Sequence, residues 1–249
     1  MKKITIILMI FLTFISAKEP KHITFLSSDG VRISANLYME YNDTKKPFIV
    51  LFHRAGWSRG EYEEIAPKLN KLGFNCMAID QRSGDEVNLV ENETKKDAIK
   101  KGKPTTYLDA INDIKSALKY AREHFAKGKL VAWGSSYSAS LVIVVVANDN
   151  SLADAVISFS PGEYFSRFGK SKDWVAKEAS KLKVPIFITS AKNEKSRWIN
   201  IYNAIKSPKV YYLPPKGGVH GSETLWEEYE ESKGYWKAVE KFLKKYVLN

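Results

Sequence analysis

One stretch limits what this chain can fold into more than any other: Lys129 to Val146. The apolar run Leu130-Val131-Ala132-Trp133 meets Gly134-Ser135-Ser136-Tyr137-Ser138 and continues as an Ala/Val-rich segment. A short apolar run, a small-residue turn and a second apolar segment spell strand, sharp turn, helix. A serine at such a turn is lifted above the sheet edge, and small residues two before and two after it let strand and helix approach. Ser136 holds that place. The pattern is G-x-S-x-S, with Ser138 where a glycine usually closes the motif. A small-residue turn with no chemistry fits the same letters, so the rest of the chain has to decide.

Taken in order, Thr24-Phe25-Leu26 and Val31 to Tyr38 flank the turn tripeptide Ser28-Asp29-Gly30 and predict an opening antiparallel hairpin. Pro47 to Phe52 is a continuous apolar run, the pattern of a strand buried on both faces, and it ends at His53-Arg54-Ala55-Gly56. Tyr62, Ile65, Ala66, Leu69 and Leu72 then recur at helical spacing up to Gly73. Phe74 to Ile79 reads as the next buried strand. Asp85 to Pro104 is polar without a clean period and reads as a long loop or small cap element. Tyr107, Ile111, Ile114, Leu118, Ala121 and Phe125 mark one face of a long helix ending at Gly128. Past the Ser136 turn, Ala155 to Phe159 and Val184 to Thr189 read as strands. Between them, Gly162 to Lys183 has a helical piece around Trp174 and Ala179 and is a second candidate cap. A helix over about 196–205, the strand Val210 to Leu213, a loop from Pro214 to Gly221 and a helix from Glu223 to Tyr246 complete the series.

Strands alternating with helices imply an α/β architecture, a mainly parallel sheet with helices on both faces. In such sheets ligands bind at the carboxyl ends of the strands. His53, Ser136, Glu163, Glu194 and His220 all follow strand ends, and that shared location points to an enzyme. Of the four histidines, His22 precedes the first strand, His124 falls outside the apolar series of its helix, and His53 belongs to the loop after Phe52. His220, between Gly218 and Gly221, is the candidate base.

The first residues have a basic head, Lys2-Lys3, an apolar run from Ile4 to Ile15, and Ser16-Ala17 where a signal peptidase would cut. The run is about 12 residues, against the roughly 20 needed to span a bilayer, so it is expected to be a signal rather than a lasting span. Residues 18–249 then form a single domain in a secreted or periplasmic protein. The only cysteine, Cys76, lies in an apolar run and reads as a core thiol with no internal disulfide partner. The formal net charge of +11 favours anionic surfaces or substrates at long range. The lysines are interspersed with Glu and Asp, and no nucleic-acid motif accompanies them, so nucleic acid is not the expected partner.

With Ser136 in its turn, an acid after a later strand and His220 in the final loop, the chain resembles the α/β-hydrolase fold, whose order is nucleophile, acid, histidine. The likeness covers nearly all of residues 18–249. It is similar in particular to small single-domain esterases of the dienelactone hydrolase-like kind, though those use cysteine where this chain has serine. The resemblance implies that His53-Arg54-Ala55-Gly56 is the oxyanion loop, with the Tyr137 and Ala55 N–H groups as donors and Arg54 as alternate for the second. His53 and Arg54 then support that loop. Asn193 occupies the place where the fold usually supplies aspartate, which leaves Glu194 as the candidate acid and Glu163, after the preceding strand, as its competitor.

Three functions fit: a serine esterase acting on a small-molecule ester without metal or cofactor, a peptidase or amidase on the same residues, and a non-catalytic binding protein on the same fold. Trp57, Tyr137, Tyr164, Phe165 and Trp174 lie near strand ends and are as consistent with core packing as with an apolar pocket.

Overall fold

The computed structural model describes residues 19–248. The expected secretion signal, residues 1–17, lies outside the described residues. β1 (Lys21–Leu26) and β2 (Arg32–Tyr38) form the opening antiparallel hairpin, followed by β3 (Phe48–Phe52), α1 (Ile65–Lys71) and β4 (Asn75–Ile79). A two-residue-stranded hairpin, β5 (Glu86–Val87) and β6 (Val90–Glu91), leads to α2 (Glu93–Lys100) and α3 (Ala110–His124). Then come β7 (Leu130–Ser135), α4 (Tyr137–Asn148), β8 (Ala155–Phe159), α5 (Trp174–Ala179), β9 (Ile186–Thr189), α6 (Lys195–Ala204), β10 (Lys209–Tyr212) and α7 (Ser232–Tyr246).

Eight strands join one sheet in the order β1-β2-β4-β3-β7-β8-β9-β10. β2 is antiparallel to both neighbours, and every pairing from β4 to β10 is parallel. The continuous apolar runs follow from this geometry, because β3, β4, β7, β8 and β9 are buried at every residue and must be apolar on both faces. Along β3 the side chains alternate: Phe48, Val50 and Phe52 join the core shared with α3, α4, α5 and α6, whereas Ile49 and Leu51 join the one shared with α1 and α7. α4 is buried from Tyr137 to Ala147, as a helix apolar on all faces requires.

Three expected elements differ from the reading of the sequence, each for a local reason. Tyr62 belongs to a 3-10 turn, Arg59–Tyr62, capped by the Ser58 hydroxyl. α1 starts only at Ile65, because Pro67 has no N–H to give a preceding turn and is tolerated only in the first one. The stretch after Asp85 is more ordered than a loop. Thr94 and Asp97 of α2 turn polar side chains inward, and these accept the N–H groups of Ser34 (2.9 Å) and Arg32 (2.7 Å), beyond the residues of β2 that pair with β4. The last helix begins at Ser232 rather than Glu223. Residues Ser222–Leu225 form a 3-10 turn, and the Trp226 indole N–H is held by the Glu61 carbonyl at 3.0 Å.

Candidate active site

A parallel sheet aligns its carboxyl ends along one edge, and the loops there carry His53–Gly56 after β3, Ser136 after β7, Ser160 after β8, Glu194 after β9 and His220 after β10. Ser136 adopts φ 61° and ψ −120°, a region that L residues rarely occupy. Its N–H donates to the Phe159 carbonyl at 2.8 Å, which helps hold the strained turn. Gly134 is needed for the close approach: a Cβ there would lie 2.5 Å from the Ser138 carbonyl oxygen and 2.6 Å from the Ala139 nitrogen. Ser138, in the glycine place, ties the elbow down. Its hydroxyl accepts the Ser135 N–H at 2.9 Å and lies 2.7 Å from the Phe52 carbonyl at the end of β3.

The Ser136 hydroxyl is 2.7 Å from His220 Nε2, and His220 Nδ1 is 2.6 Å from Glu194 Oε1. An ionised carboxylate only accepts, so Nδ1 carries the proton and Nε2 presents its lone pair to the serine hydroxyl. Burial by itself would raise the Glu194 pKa. The hydrogen bond and charge of His220, with Ser160 and Arg197, outweigh it and hold the carboxyl below its ordinary value. Asn193 is exposed. Glu163 is a correction: its carboxylate accepts the Val175 and Ala176 N–H groups at 2.8 and 2.9 Å, at the start of α5, and the acid beside His220 is Glu194.

The loop after β3 is fixed at both peptides flanking Arg54. The Arg54 N–H donates to Glu61 Oε2 at 2.7 Å, so Arg54 is not a free alternate donor, which corrects that expectation. His53 is fully buried, its Nε2 accepts the Gln81 N–H at 2.9 Å, and Nδ1 therefore donates to the Arg54 carbonyl at 2.7 Å. Burial lowers its pKa to about 4, so the ring is neutral at working pH. His53 is thus a structural group of the loop. With the Arg54 carbonyl turned to His53 across a trans peptide, the Ala55 N–H points the other way. Among the described residues, neither that N–H nor the Tyr137 N–H at the start of α4 has a hydrogen-bond partner. The Arg54 side chain reaches the His220 carbonyl at 3.0 Å and Glu223 at 2.6 Å, and its guanidinium lies over the Trp57 ring.

Several residues at the site carry no sequence signal of their own. Ser160, directly after β8, also has positive φ (56°). Its hydroxyl donates to Glu194 Oε2 at 2.8 Å and accepts the Gly221 N–H at 2.9 Å, joining the acid to the histidine loop. Tyr164 donates to the Ser160 carbonyl, and burial raises its pKa to about 12. Of the other aromatics, Trp57 stacks on Trp226, Tyr137 stacks on Tyr107, and Phe165 packs edge-on against Trp174. Among the described residues, no group of three or more His, Cys, Asp or Glu side chains is placed to hold a metal ion.

Residues 43–167 match the Hydrolase_4 family, described as serine aminopeptidase, S33. The chain belongs to this family. The S33 match contains Ser136 and ends before Glu194 and His220. Over 151 residues the chain is 32% identical to the quorum-quenching protein AidA of Acinetobacter baumannii, which covers 58% of this chain and only 44% of that relative's length. Solved structures of similar fold include a dienelactone hydrolase from Anabaena variabilis (TM-score 0.70, 15% identity, covering 92% of this chain and 100% of that one). An esterase from Pyrococcus furiosus (TM-score 0.67, 19% identity, 92% and 93%) and an acylaminoacyl peptidase from Pyrococcus horikoshii (TM-score 0.66, 16% identity, 94% and 43%) share it too. The S33 chain is thus an α/β-hydrolase.

Proposed function

We propose that this hydrolase cleaves a carboxylic ester of a small molecule through an acyl-enzyme, with Ser136 as nucleophile, His220 as general base and Glu194 as the acid. The observation that carries this reading is the continuous hydrogen-bonded chain from Ser136 Oγ through His220 to Glu194, at 2.7 and 2.6 Å. As Ser136 Oγ attacks the ester carbonyl carbon, its proton passes to His220 Nε2, and Glu194 stabilises the imidazolium. The Tyr137 and Ala55 N–H groups receive the oxyanion. Collapse of the tetrahedral intermediate breaks the bond to the alcohol oxygen, which takes the proton from His220. A water activated by the same imidazole then releases the acid and restores Ser136.

Amide cleavage on the same residues is the second reading, favoured by the family's description as a serine aminopeptidase. A quorum-quenching role is suggested only by the name of one relative, of which 44% is matched. Purified protein is expected to turn over p-nitrophenyl acetate and butyrate with kcat/KM at least about 10²-fold above that for aminoacyl p-nitroanilides, a discrimination within reach of pocket contacts. Faster turnover of the anilides would move the assignment to an aminopeptidase, and inertness toward both sets would move it to a binding protein.

Export belongs to the same proposal, motivated by the basic head, apolar run and Ser16-Ala17 of the first residues. N-terminal sequencing of protein from its native source is expected to begin at or near Lys18. An intact Met1 on protein recovered from the cytoplasm would rule export out.

A further inference from the structure

Glu61 is fully buried, and nothing in the acyl-transfer steps uses it. A carboxylate removed from water is costly unless it is fully hydrogen-bonded, so the partners that retain it here show what it holds. Its Oε2 accepts the Arg54 N–H at 2.7 Å, and its Oε1 accepts the Ser135 hydroxyl at 2.6 Å. Ser135 Oγ in turn accepts the Ser222 N–H at 2.9 Å. Gly221, at φ +88°, packs so closely on this pair that a Cβ there would lie 2.7 Å from Ser135 Oγ and 3.7 Å from Glu61 Oε1. The Arg54 side chain closes the circuit through the His220 carbonyl.

One side chain thus touches the loop that presents the Ala55 N–H and the residue before Ser136, and through Ser135 it reaches the segment that follows His220. We propose that Glu61 is a positioning residue: its carboxylate fixes the His53–Arg54 peptide and, through Ser135, the Gly221–Ser222 backbone, so that oxyanion donor, nucleophile and imidazole share one frame. This rests on the ester-hydrolase reading of the same site. Its buried surroundings raise the Glu61 pKa to about 7, the burial effect outweighing the hydrogen bonds of Ser135 and Arg54. The group is therefore only partly ionised near neutral pH, so its hydrogen bonds more than its charge do the positioning, and an amide of the same shape can keep the Arg54 contact. Glu61→Gln keeps an oxygen for the Arg54 N–H, whereas Glu61→Ala leaves that N–H without a partner and the Ser135 hydroxyl without this acceptor for its proton.

The experiment measures kcat and KM for p-nitrophenyl butyrate per active site, with active sites counted by stoichiometric fluorophosphonate labelling so that misfolded protein drops out. Glu61→Ala is expected to lose kcat by roughly 10-fold to 10²-fold, less than the roughly 10²- to 10³-fold cost of removing an oxyanion donor outright, with KM within about 3-fold. Glu61→Gln is expected to stay within about 5-fold of wild type in kcat. An Ala variant with unchanged kcat per labelled site overturns the proposal, as does a rise in KM alone or a Gln variant as impaired as Ala. Should Glu61→Ala not fold, Ser135→Ala cuts the same link, and undiminished kcat per labelled site in that variant is equally fatal. These outcomes leave the ester-hydrolase reading intact. Wild-type protein that does not label at Ser136 overturns both readings together.

Discussion

Ser136→Ala is expected to abolish ester turnover and fluorophosphonate labelling, with kcat down by roughly 10⁴-fold or more, as nucleophile removal does in a well-characterised serine protease. Thermal unfolding is expected to move by no more than about 4 °C, the equivalent of about 1 kcal/mol in a chain of this size. The small structural effect follows from the contacts, since the Ser136 hydroxyl is committed to His220 Nε2 while the turn itself is held by the Ser136 N–H and by Ser138. The large kinetic effect follows because no neighbouring hydroxyl can substitute. Ser135 Oγ donates to Glu61 and accepts from Ser222, and Ser138 Oγ lies against the Phe52 carbonyl at 2.7 Å. Mass spectrometry of the labelled wild type is expected to find the phosphonate on Ser136. A label on Ser135 or Ser138 would mean that the reactive hydroxyl has been misassigned.

Glu194→Gln is the second large effect. The neutral amide cannot stabilise an imidazolium, and its NH2, turned toward His220 Nδ1, would favour the tautomer with the proton on Nε2, which cannot accept from Ser136. A loss in kcat of at least about 10²-fold at neutral pH is expected, with 10⁴ as the scale seen for the corresponding change in a serine protease. Glu163→Gln, which touches only the start of α5, is expected to keep near wild-type kcat and to lose at most some stability. The reverse ranking would place the acid on the earlier strand. Stability against pH gives a second readout. Glu194 has a folded pKa below its ordinary 4.5, so its ionised form contributes stability that is present above about 4.5 and lost as pH falls through the lower folded value. The Gln variant lacks this titration, so its stability deficit relative to wild type should shrink on acidification.

The strands were the most legible part of the sequence because complete burial on both faces leaves unbroken apolar runs, as in Phe48 to Phe52 and Ala155 to Phe159. Elements stabilised by polar burial were not. α2 buries Thr94 and Asp97 to satisfy N–H groups of β2, and hydrophobic periodicity cannot register such a helix. The same division runs through the site. Ser136, Glu194 and His220 were singled out because each falls in a turn or loop beyond a strand end and in the chain order that the resemblance implies, and they lie within hydrogen-bonding distance of one another. Ser160 and Glu61 are of the same residue types as Ser136 and Glu194 but hold no place in that order. Only the fold reveals that one reaches the acid and the other reaches two loops from a site without solvent.

The order of the sheet also bears on when the chain becomes active. The proposed nucleophile, Ser136, lies near the middle of the sequence, but the proposed base, His220, sits in the loop after β10, the last strand and an edge of the sheet. Its loop is held in place by bonds back to Arg54, Ser135 and Ser160. A nascent chain emerging from its amino end can complete β3, β7 and the elbow while still lacking its base. On the proposed mechanism, ester hydrolysis regained in a refolding or truncation series would therefore report the docking of the carboxyl-terminal segment that carries His220.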